Sequence, residues 1–229
     1  MDQKQLKRNR NYFTKSDTPM FVGIGMLIIG VVLYFFTYSY VVYVIASVLA
    51  VVGLVLALIG ASRRVTDADM DACIARLTEG MEVDLVENPK FAKRMRKEVP
   101  QTKVQNYIFD DALAHKYGKS GMIRTEKLEA ALLYPLDTAL YVVHRRFSLL
   151  ADECDTQTYE IPYTEIESVE ITEQQTKLTF GKNMRTVSYC TLCIHGATPL
   201  TLPMQNNADT DEFVSRMRRV LAESKKTAQ

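Results

Sequence analysis

An unbroken apolar run dominates the first part of the chain. It begins at Pro19 and ends at Ala61, and no charged residue lies between Thr18 and Ser62. One helix over about 42 residues would be about 63 Å long, roughly twice the ~30 Å hydrocarbon core of a bilayer. A polar stretch over 37–40 interrupts the run near its middle. The pattern therefore predicts two antiparallel membrane-spanning helices, over about 20–37 and 41–59, joined as a hairpin within residues 20–61.

The distribution of Lys and Arg around the hairpin predicts its orientation. Several cations precede the first span, Arg63 and Arg64 follow the second, and the turn between the spans carries none. Because short loops rich in Lys and Arg stay on the cytoplasmic side, both termini are expected there. We therefore expect a two-span protein of the cell membrane with a basic cytoplasmic tail over 1–19. The lipid bilayer is its first expected partner.

Small residues recur along one face of each span. Their spacing is three or four residues in the second span and seven in the first, and such a seam lets two helix backbones approach closely. One interpretation is packing of the two spans against each other. The alternative is docking on another membrane protein, as an accessory subunit of a transporter or channel, or on a second copy of the chain as a homo-oligomer. The helix-packing seam consists of Gly23, Gly30, Ala46, Ala50, Gly53 and Ala57.

Residues 62–100 are predicted to form a helical linker. Thr66 can cap a helix with acidic residues in its first turn, and apolar residues recur at helical spacing from Met70 to Met81. Pro89 ends that pattern, and a second helical piece is predicted over 91–98. Its basic cluster is a candidate contact for anionic lipid headgroups, and a solvated helix face is the alternative. The cluster consists of Lys90, Lys93, Arg94, Arg96 and Lys97.

From about residue 101 the pattern changes to short apolar runs separated by turn residues. These runs predict six or seven strands. Asp209 and Glu212 then predict the capping box of a final amphipathic helix. Strands in sequence followed by one helix predict an α+β domain over 101–229, in which a curled antiparallel sheet is covered at one open end by the helix. The apolar stripe of that helix is Phe213, Met217, Val220 and Leu221.

Two segments of this domain resemble bacterial pleckstrin-homology-like (PH-like) domains. They are Leu-Tyr-Val-Val-His-Arg-Arg-Phe-Ser over 140–148 and Tyr-Glu-Ile-Pro-Tyr-Thr-Glu-Ile-Glu-Ser-Val-Glu-Ile over 159–171. The resemblance covers about 105–225, and two membrane helices ahead of such a domain resemble membrane proteins with YcxB-like cytosolic domains. It implies a binding or scaffolding module and supplies no catalytic residues, since a fold by itself does not define a function.

No motif in the chain predicts catalysis. The chain has no nucleophile-elbow, zinc-protease, Walker or dinucleotide-binding pattern. Cys190 and Cys193 stand three apart in a predicted strand, where their side chains would point to opposite faces, and no second such pair completes a zinc site. The segment 118–121 is interpreted as a turn. We therefore expect no enzyme, no cofactor, and no catalytic, cofactor-binding or metal-binding residue.

The charge pattern favours a protein partner. Lys and Arg number 28 against 27 Asp and Glu, a formal net charge of +1 that gives no support to nucleic-acid binding. Eight acids and no cation lie between Phe147 and Thr176, whereas phosphate recognition needs converging cations. The sequence thus predicts a non-enzymatic binding or scaffolding module that holds an unknown protein at the cytoplasmic face of the membrane. An anionic-lipid-responsive domain is the other alternative, alongside the accessory subunit.

Overall fold

The chain divides into two compact units. The computed structural model describes residues 1–14, 18–36, 39–86, 94–118, 120–205 and 207–227. The units are Met1–Met70, which is helical, and Asp71–Gln229, which is rich in antiparallel sheet. Their boundary falls inside one helix, α4, which spans Asp67–Val86. The expected combination of apolar helices with an α+β domain is present.

Two helices of the first unit are long and apolar enough to cross a membrane. Helix α2 spans Thr18–Phe36 and α3 spans Tyr40–Arg63. The chain reverses between them at the predicted polar stretch, of which Thr37 and Tyr38 lie outside the described residues. The helices run antiparallel, since Gly60 of α3 lies beside Met20 of α2. Helix α3 continues past its predicted end at residue 59.

The basic N-terminal segment is also helical. Helix α1 spans Gln3–Thr14, where the sequence pattern predicted only a basic tail. The Tyr12 hydroxyl donates to Asp67 Oδ1 at 2.8 Å, and Arg8 Nη2 lies 2.9 Å from Asp69 Oδ1. Both acids belong to the first turn of α4. The tail is therefore held by specific contacts, and Tyr12 is buried.

Thr66 caps α4 as predicted. The Asp69 amide donates to Thr66 Oγ1 at 3.2 Å, and the Thr66 amide donates in return to Asp69 Oδ2 at 2.9 Å. This reciprocal arrangement satisfies amides that the first turn leaves without helical partners. The amide and hydroxyl donors of Thr66, helped by the nearby Arg8 charge, lower the pKa of Asp69 below its usual value.

Nine strands among the described residues form three antiparallel sheets. The four-stranded sheet has the order β1-β4-β5-β6, the three-stranded sheet has the order β7-β8-β9, and β2 and β3 form a separate small hairpin. All paired strands are antiparallel, and their register runs without interruption except for a shift between Ile166 and Ser168. The strands are β1 Thr102–Tyr107, β2 His115–Tyr117, β3 Ile123–Thr125, β4 Lys127–Pro135, β5 Ala139–Ser148, β6 Cys154–Pro162, β7 Ile166–Phe180, β8 Asn183–Gly196 and β9 Leu200–Met204.

One apolar core joins the two larger sheets to the C-terminal helix. Helix α5 spans Ala208–Thr227, and its predicted stripe is buried in this core. The sheets approach each other where Asn106 Nδ2 donates to the Met204 carbonyl at 2.8 Å and the Gln205 amide donates to the Gln105 carbonyl. The core residues from the strands include Val104, Leu133, Leu140, Val142, Ile161, Val169, Leu192 and Ile194.

Four details differ from the sequence-based expectation. Nine strands replace six or seven, and the sheets are open rather than one curled sheet. The first helix predicted in the linker is present as α4, but the described part of the second helical piece, 94–98, is irregular because its backbone pairs with the domain, at Met95 with Leu136. Helix α5 is capped by Asn207, whose Oδ1 accepts from the Thr210 amide at 2.9 Å. Glu212, assigned to a capping box, instead pairs with Arg216.

A buried arginine ties the β2–β3 hairpin to α4 within the second unit. Arg124 of β3 is almost wholly buried, and Nη2 lies 3.0 and 2.9 Å from the two carboxylate oxygens of Asp71. The Arg124 Nε adds a contact of 3.1 Å to the same carboxylate. Such bidentate pairing fixes both position and orientation. The hairpin therefore has a defined place in the domain although it belongs to neither of the larger sheets.

Candidate binding surfaces

The helix-packing seam lies between α2 and α3. A Cβ atom built on Gly30 would lie 2.7 Å from the Ala50 amide and 2.8 Å from the Ala46 carbonyl oxygen, and one on Gly23 would overlap the backbone at Gly53 and Ala57. Any side chain there would force the helices apart. The structure thus brings all six seam residues together inside the hairpin, where they are used for packing of α2 on α3: Gly23, Gly30, Ala46, Ala50, Gly53 and Ala57.

The outer surface of the hairpin is apolar. Large side chains that would be buried in a soluble protein are exposed along both helices, and the exposed fraction reaches 82% at Phe36. Two serine hydroxyls find partners inside their own helix, because Ser47 Oγ donates to the Tyr43 carbonyl and Ser62 Oγ donates to the Ile59 carbonyl. The hydrocarbon core of a bilayer offers no water, so polar groups there need hydrogen-bond partners within the protein.

The basic cluster of the linker is only partly available as a surface. Arg94 Nη2 lies 2.7 Å from Glu160 Oε1 of β6. The Arg96 guanidinium donates to the Asp137 carbonyl and lies 5.5 Å from the centre of the Tyr163 ring. Lys97 is exposed, and Lys90 and Lys93 lie outside the described residues. The two described arginines therefore hold this segment to the domain.

Tyr163 anchors the corner between the two larger sheets. It begins a short 3-10 turn, Tyr163–Glu165, and its hydroxyl donates to the Leu136 carbonyl at 2.7 Å. Burial raises the pKa of Tyr163 to about 12, although the nearby Arg96 charge opposes the shift. The phenol is therefore neutral and remains a hydrogen-bond donor at any physiological pH.

Glu129, His144 and Arg146 form a polar cluster at one end of the four-stranded sheet. The strand register places Glu129 opposite Arg146, and Arg146 Nε lies 2.5 Å from Glu129 Oε1. The Glu129 and His144 side chains are buried, and His144 Nε2 lies 3.5 Å from Glu129 Oε2. Burial opposes ionisation of Glu129, but His144 and Arg146 outweigh it and lower the pKa of the carboxyl below its usual value.

The Glu129→Gln variant should lose part of the acid sensitivity of the domain. Because the folded state lowers the pKa of Glu129, its ionised form contributes stability that is present above the reference pKa of 4.5 and is lost as pH falls below it. Thermal unfolding midpoints of the detergent-solubilised chain, measured from neutral pH down to about pH 3, should fall less steeply for this variant. Glu173→Gln, at an exposed strand position, controls for loss of charge. Identical slopes for both variants and the native chain would contradict a stabilising role for Glu129.

The base of the β2–β3 hairpin is braced against β7. His115 Nε2 lies 2.8 Å from the Thr179 carbonyl oxygen, and the His115 and Phe180 rings meet edge to face at 4.8 Å. The Asp111 carboxylate accepts from the Thr179 amide at 2.6 Å and from its hydroxyl at 3.0 Å. These two donors lower the pKa of Asp111. The contacts hold the two hairpins side by side.

The adjoining tips of these hairpins form a surface that the sequence analysis did not identify. The Arg185 guanidinium lies 4.9 Å from the centre of the Tyr117 ring, which joins β8 to β2. Large apolar side chains are exposed beside cations there. The long acid-free stretch over 174–189 is the sequence signal that could have indicated it. This hairpin-tip surface consists of Tyr117, Met122, Lys177, Lys182, Met184 and Arg185.

Cys190 and Cys193 lie in or near the core, whereas Cys154 is exposed on β6. Cys193 is buried, and Cys190 packs partly buried against the core. Within the described parts of the chain, no three His, Cys, Asp or Glu side chains are grouped so that they could hold a metal ion. The turn expected near Gly118 is present, since the Gly118 amide donates to the Met122 carbonyl at 2.9 Å.

Comparison with known proteins leaves the family of the chain undefined. The chain matches no protein-family model, no curated protein and no solved structure. The surfaces described above are therefore the basis on which its function is inferred.

Proposed function

We propose that the chain is a non-enzymatic, membrane-anchored binding module. Helices α2 and α3 are its anchor, and the sheet-rich domain holds a protein partner at the cytoplasmic face of the membrane. The observation that carries the proposal is the exposed apolar surface of α2 and α3, which in water would be an aggregation site of unusual size. Inserted in a bilayer, the same surface is solvated by lipid.

The arrangement of the second unit supports a PH-like module. A four-stranded and a three-stranded antiparallel sheet enclose a core that is completed by a C-terminal helix. The β2–β3 hairpin is an addition between the first two strands of the four-stranded sheet. The ion pairs described within the domain join neighbouring strands or segments, as Arg146 and Glu129 join β5 and β4. Because these charged groups hold parts of the fold together, the domain fits a binding role better than a catalytic one.

The seam favours the anchor interpretation over the accessory subunit. Its small residues are occupied by the contact between α2 and α3, so docking on foreign helices through the same face would require the hairpin to open. The cytoplasmic placement of the domain rests on the Lys and Arg that flank the hairpin.

Labelling of Cys154 tests this orientation. Cys154 is exposed on β6, whereas Cys73 and Cys193 are buried and Cys190 is partly buried. A membrane-impermeant maleimide should label the chain only after the cells are permeabilised, and the Cys154→Ser variant should lose most of that labelling. Labelling in intact cells would contradict the cytoplasmic placement. Release of the chain from membranes by alkaline carbonate would contradict the anchor itself.

A further inference from the structure

The apolar exposure of the second unit is concentrated at one place. Outside α2 and α3, the large apolar side chains that are exposed among the described residues are Tyr117 at 47%, Met122 at 43% and Met184 at 66%. All three belong to the hairpin-tip surface. Single exposed apolar residues are common on soluble proteins, but a group confined to two adjoining tips indicates an interaction site.

The tip of the β7–β8 hairpin projects from the sheet. Strand β9 pairs with β8 only over Cys190–Ile194, so the residues from Asn183 to Tyr189 pair with β7 alone. At roughly 3.3 Å per residue, this ribbon extends about 20 Å beyond β9. Gly181 and Lys182 close it in a two-residue turn, with Gly181 at φ +64. Met184 therefore lies on a projecting two-stranded ribbon, whereas Met122 lines a pocket between the β2–β3 hairpin and β8.

The charge of the hairpin-tip surface is positive. Neither 112–125 nor 174–189 contains an acidic residue. Lys177, Lys182 and Arg185 are exposed and belong to none of the ion pairs found in the described residues. The acids seen beside the two hairpins have partners, because Asp111 accepts two hydrogen bonds from Thr179 and Asp71 pairs with Arg124. An anionic partner surface would complement these cations.

We propose that the hairpin-tip surface inserts into the headgroup region of an anionic lipid bilayer. The inference rests on the proposed function, because an anchor in the same chain keeps the domain at a high effective concentration of lipid. Exposed tyrosine and methionine side chains suit the soft interface of a bilayer, where amphipathic rings are stable, and the neighbouring cations suit its anionic headgroups. Arg94 and Arg96 of the linker are engaged elsewhere, so these tip cations are the better candidates for lipid contact.

The absence of Trp from the sequence provides a direct test. In the full-length Met184→Trp variant, the single Trp reports the environment of the β7–β8 tip. In vesicles of phosphatidylcholine with about 30% phosphatidylglycerol, its fluorescence should shift to the blue and be quenched by lipids that carry a spin label near the headgroup. Both effects should diminish in phosphatidylcholine alone and at about 0.5 M salt, where the Debye length falls to roughly 4 Å.

Matched variants separate insertion from nonspecific attraction. Thr158→Trp places the reporter on the exposed edge strand β6 and should show neither effect. When Lys177→Glu, Lys182→Glu and Arg185→Glu are added to Met184→Trp, the blue shift and the quenching should both disappear. The same charge change at exposed Lys97, Arg219 and Lys225 should leave them intact. Circular dichroism should show that each variant folds.

The outcome that contradicts the inserted tip differs from the outcome that contradicts the membrane anchor. A chain that resists carbonate extraction but shows no lipid-dependent Trp shift overturns the inserted tip and leaves the anchor in place. A chain that does not enter vesicles of either composition overturns the anchor. Loss of the shift on addition of millimolar inorganic phosphate, at constant ionic strength, would assign the surface to a soluble anion. A shift produced by an acidic protein such as polyglutamate, but by neither vesicle, would assign it to a protein partner.

Discussion

Replacing Gly196 by alanine is expected to destabilise the sheet-rich domain by about 3 kcal/mol or more, a large part of the roughly 5–15 kcal/mol that keeps a typical domain folded. Gly196 ends β8 with φ +151, and a Cβ atom there would overlap the carbonyl oxygen of Glu165. That oxygen cannot move away freely, because it accepts a hydrogen bond from the Ala197 amide at 3.1 Å. The substitution therefore adds a steric conflict to an unfavourable backbone conformation.

Gly181→Ala is the matched control for this prediction. Gly181 also has a positive φ, of +64, but a Cβ atom there would meet nothing within 4 Å. Gly181→Ala should therefore lower the free energy of unfolding only by the conformational cost, about 1 kcal/mol. Thermal unfolding of the detergent-solubilised chain, followed by circular dichroism, should show a much larger decrease for Gly196→Ala. Equal decreases would contradict the steric explanation.

Replacing Gly30 by leucine is expected to open the helical hairpin. The close approach of α2 to α3 depends on the missing side chain, since the neighbouring backbone of Ala46 and Ala50 leaves no room for a Cβ atom. The helix axes should move towards the roughly 8–10 Å separation typical of helices with larger side chains. Spin labels at the outward-facing positions Val22 and Ile59, in a background without native cysteines, should report a longer and broader distance distribution.

Gly25 supplies the control on the same helix. A Cβ atom on Gly25 would meet nothing within 4 Å, so Gly25→Leu adds the same apolar volume without a clash of its Cβ atom with the backbone of α3. Its distance distribution should match that of the labelled background. If both variants widened the distribution equally, the close contact at Gly30 would not be what holds the hairpin together.

The apolar helices and most strands could be predicted from the sequence because their patterns are long and local. An uncharged run of more than 40 residues has few alternatives to a pair of long helices. The stripe of α5 and the Thr66 cap also follow from spacing within one element. Strands β2 and β3 were missed because three residues each are too few to show a period, and their position depends on Arg124, His115 and Asp111 contacts with distant parts of the chain.

The contacts of the basic residues could not be predicted from the local sequence pattern. Arg94 and Arg96 stand in a cluster that predicted a solvated or lipid-facing helix, but they pair with Glu160 and with the Asp137 carbonyl, 66 and 41 positions away. Lys177, Lys182 and Arg185 appear scattered along the chain, but a hairpin brings them to one tip beside Tyr117. The sequence by itself determined two apolar helices, an α+β domain and a near-neutral charge. Only the tertiary structure decided which cations are neutralised and which remain exposed, because charge pairing depends on distance in space rather than on separation along the chain.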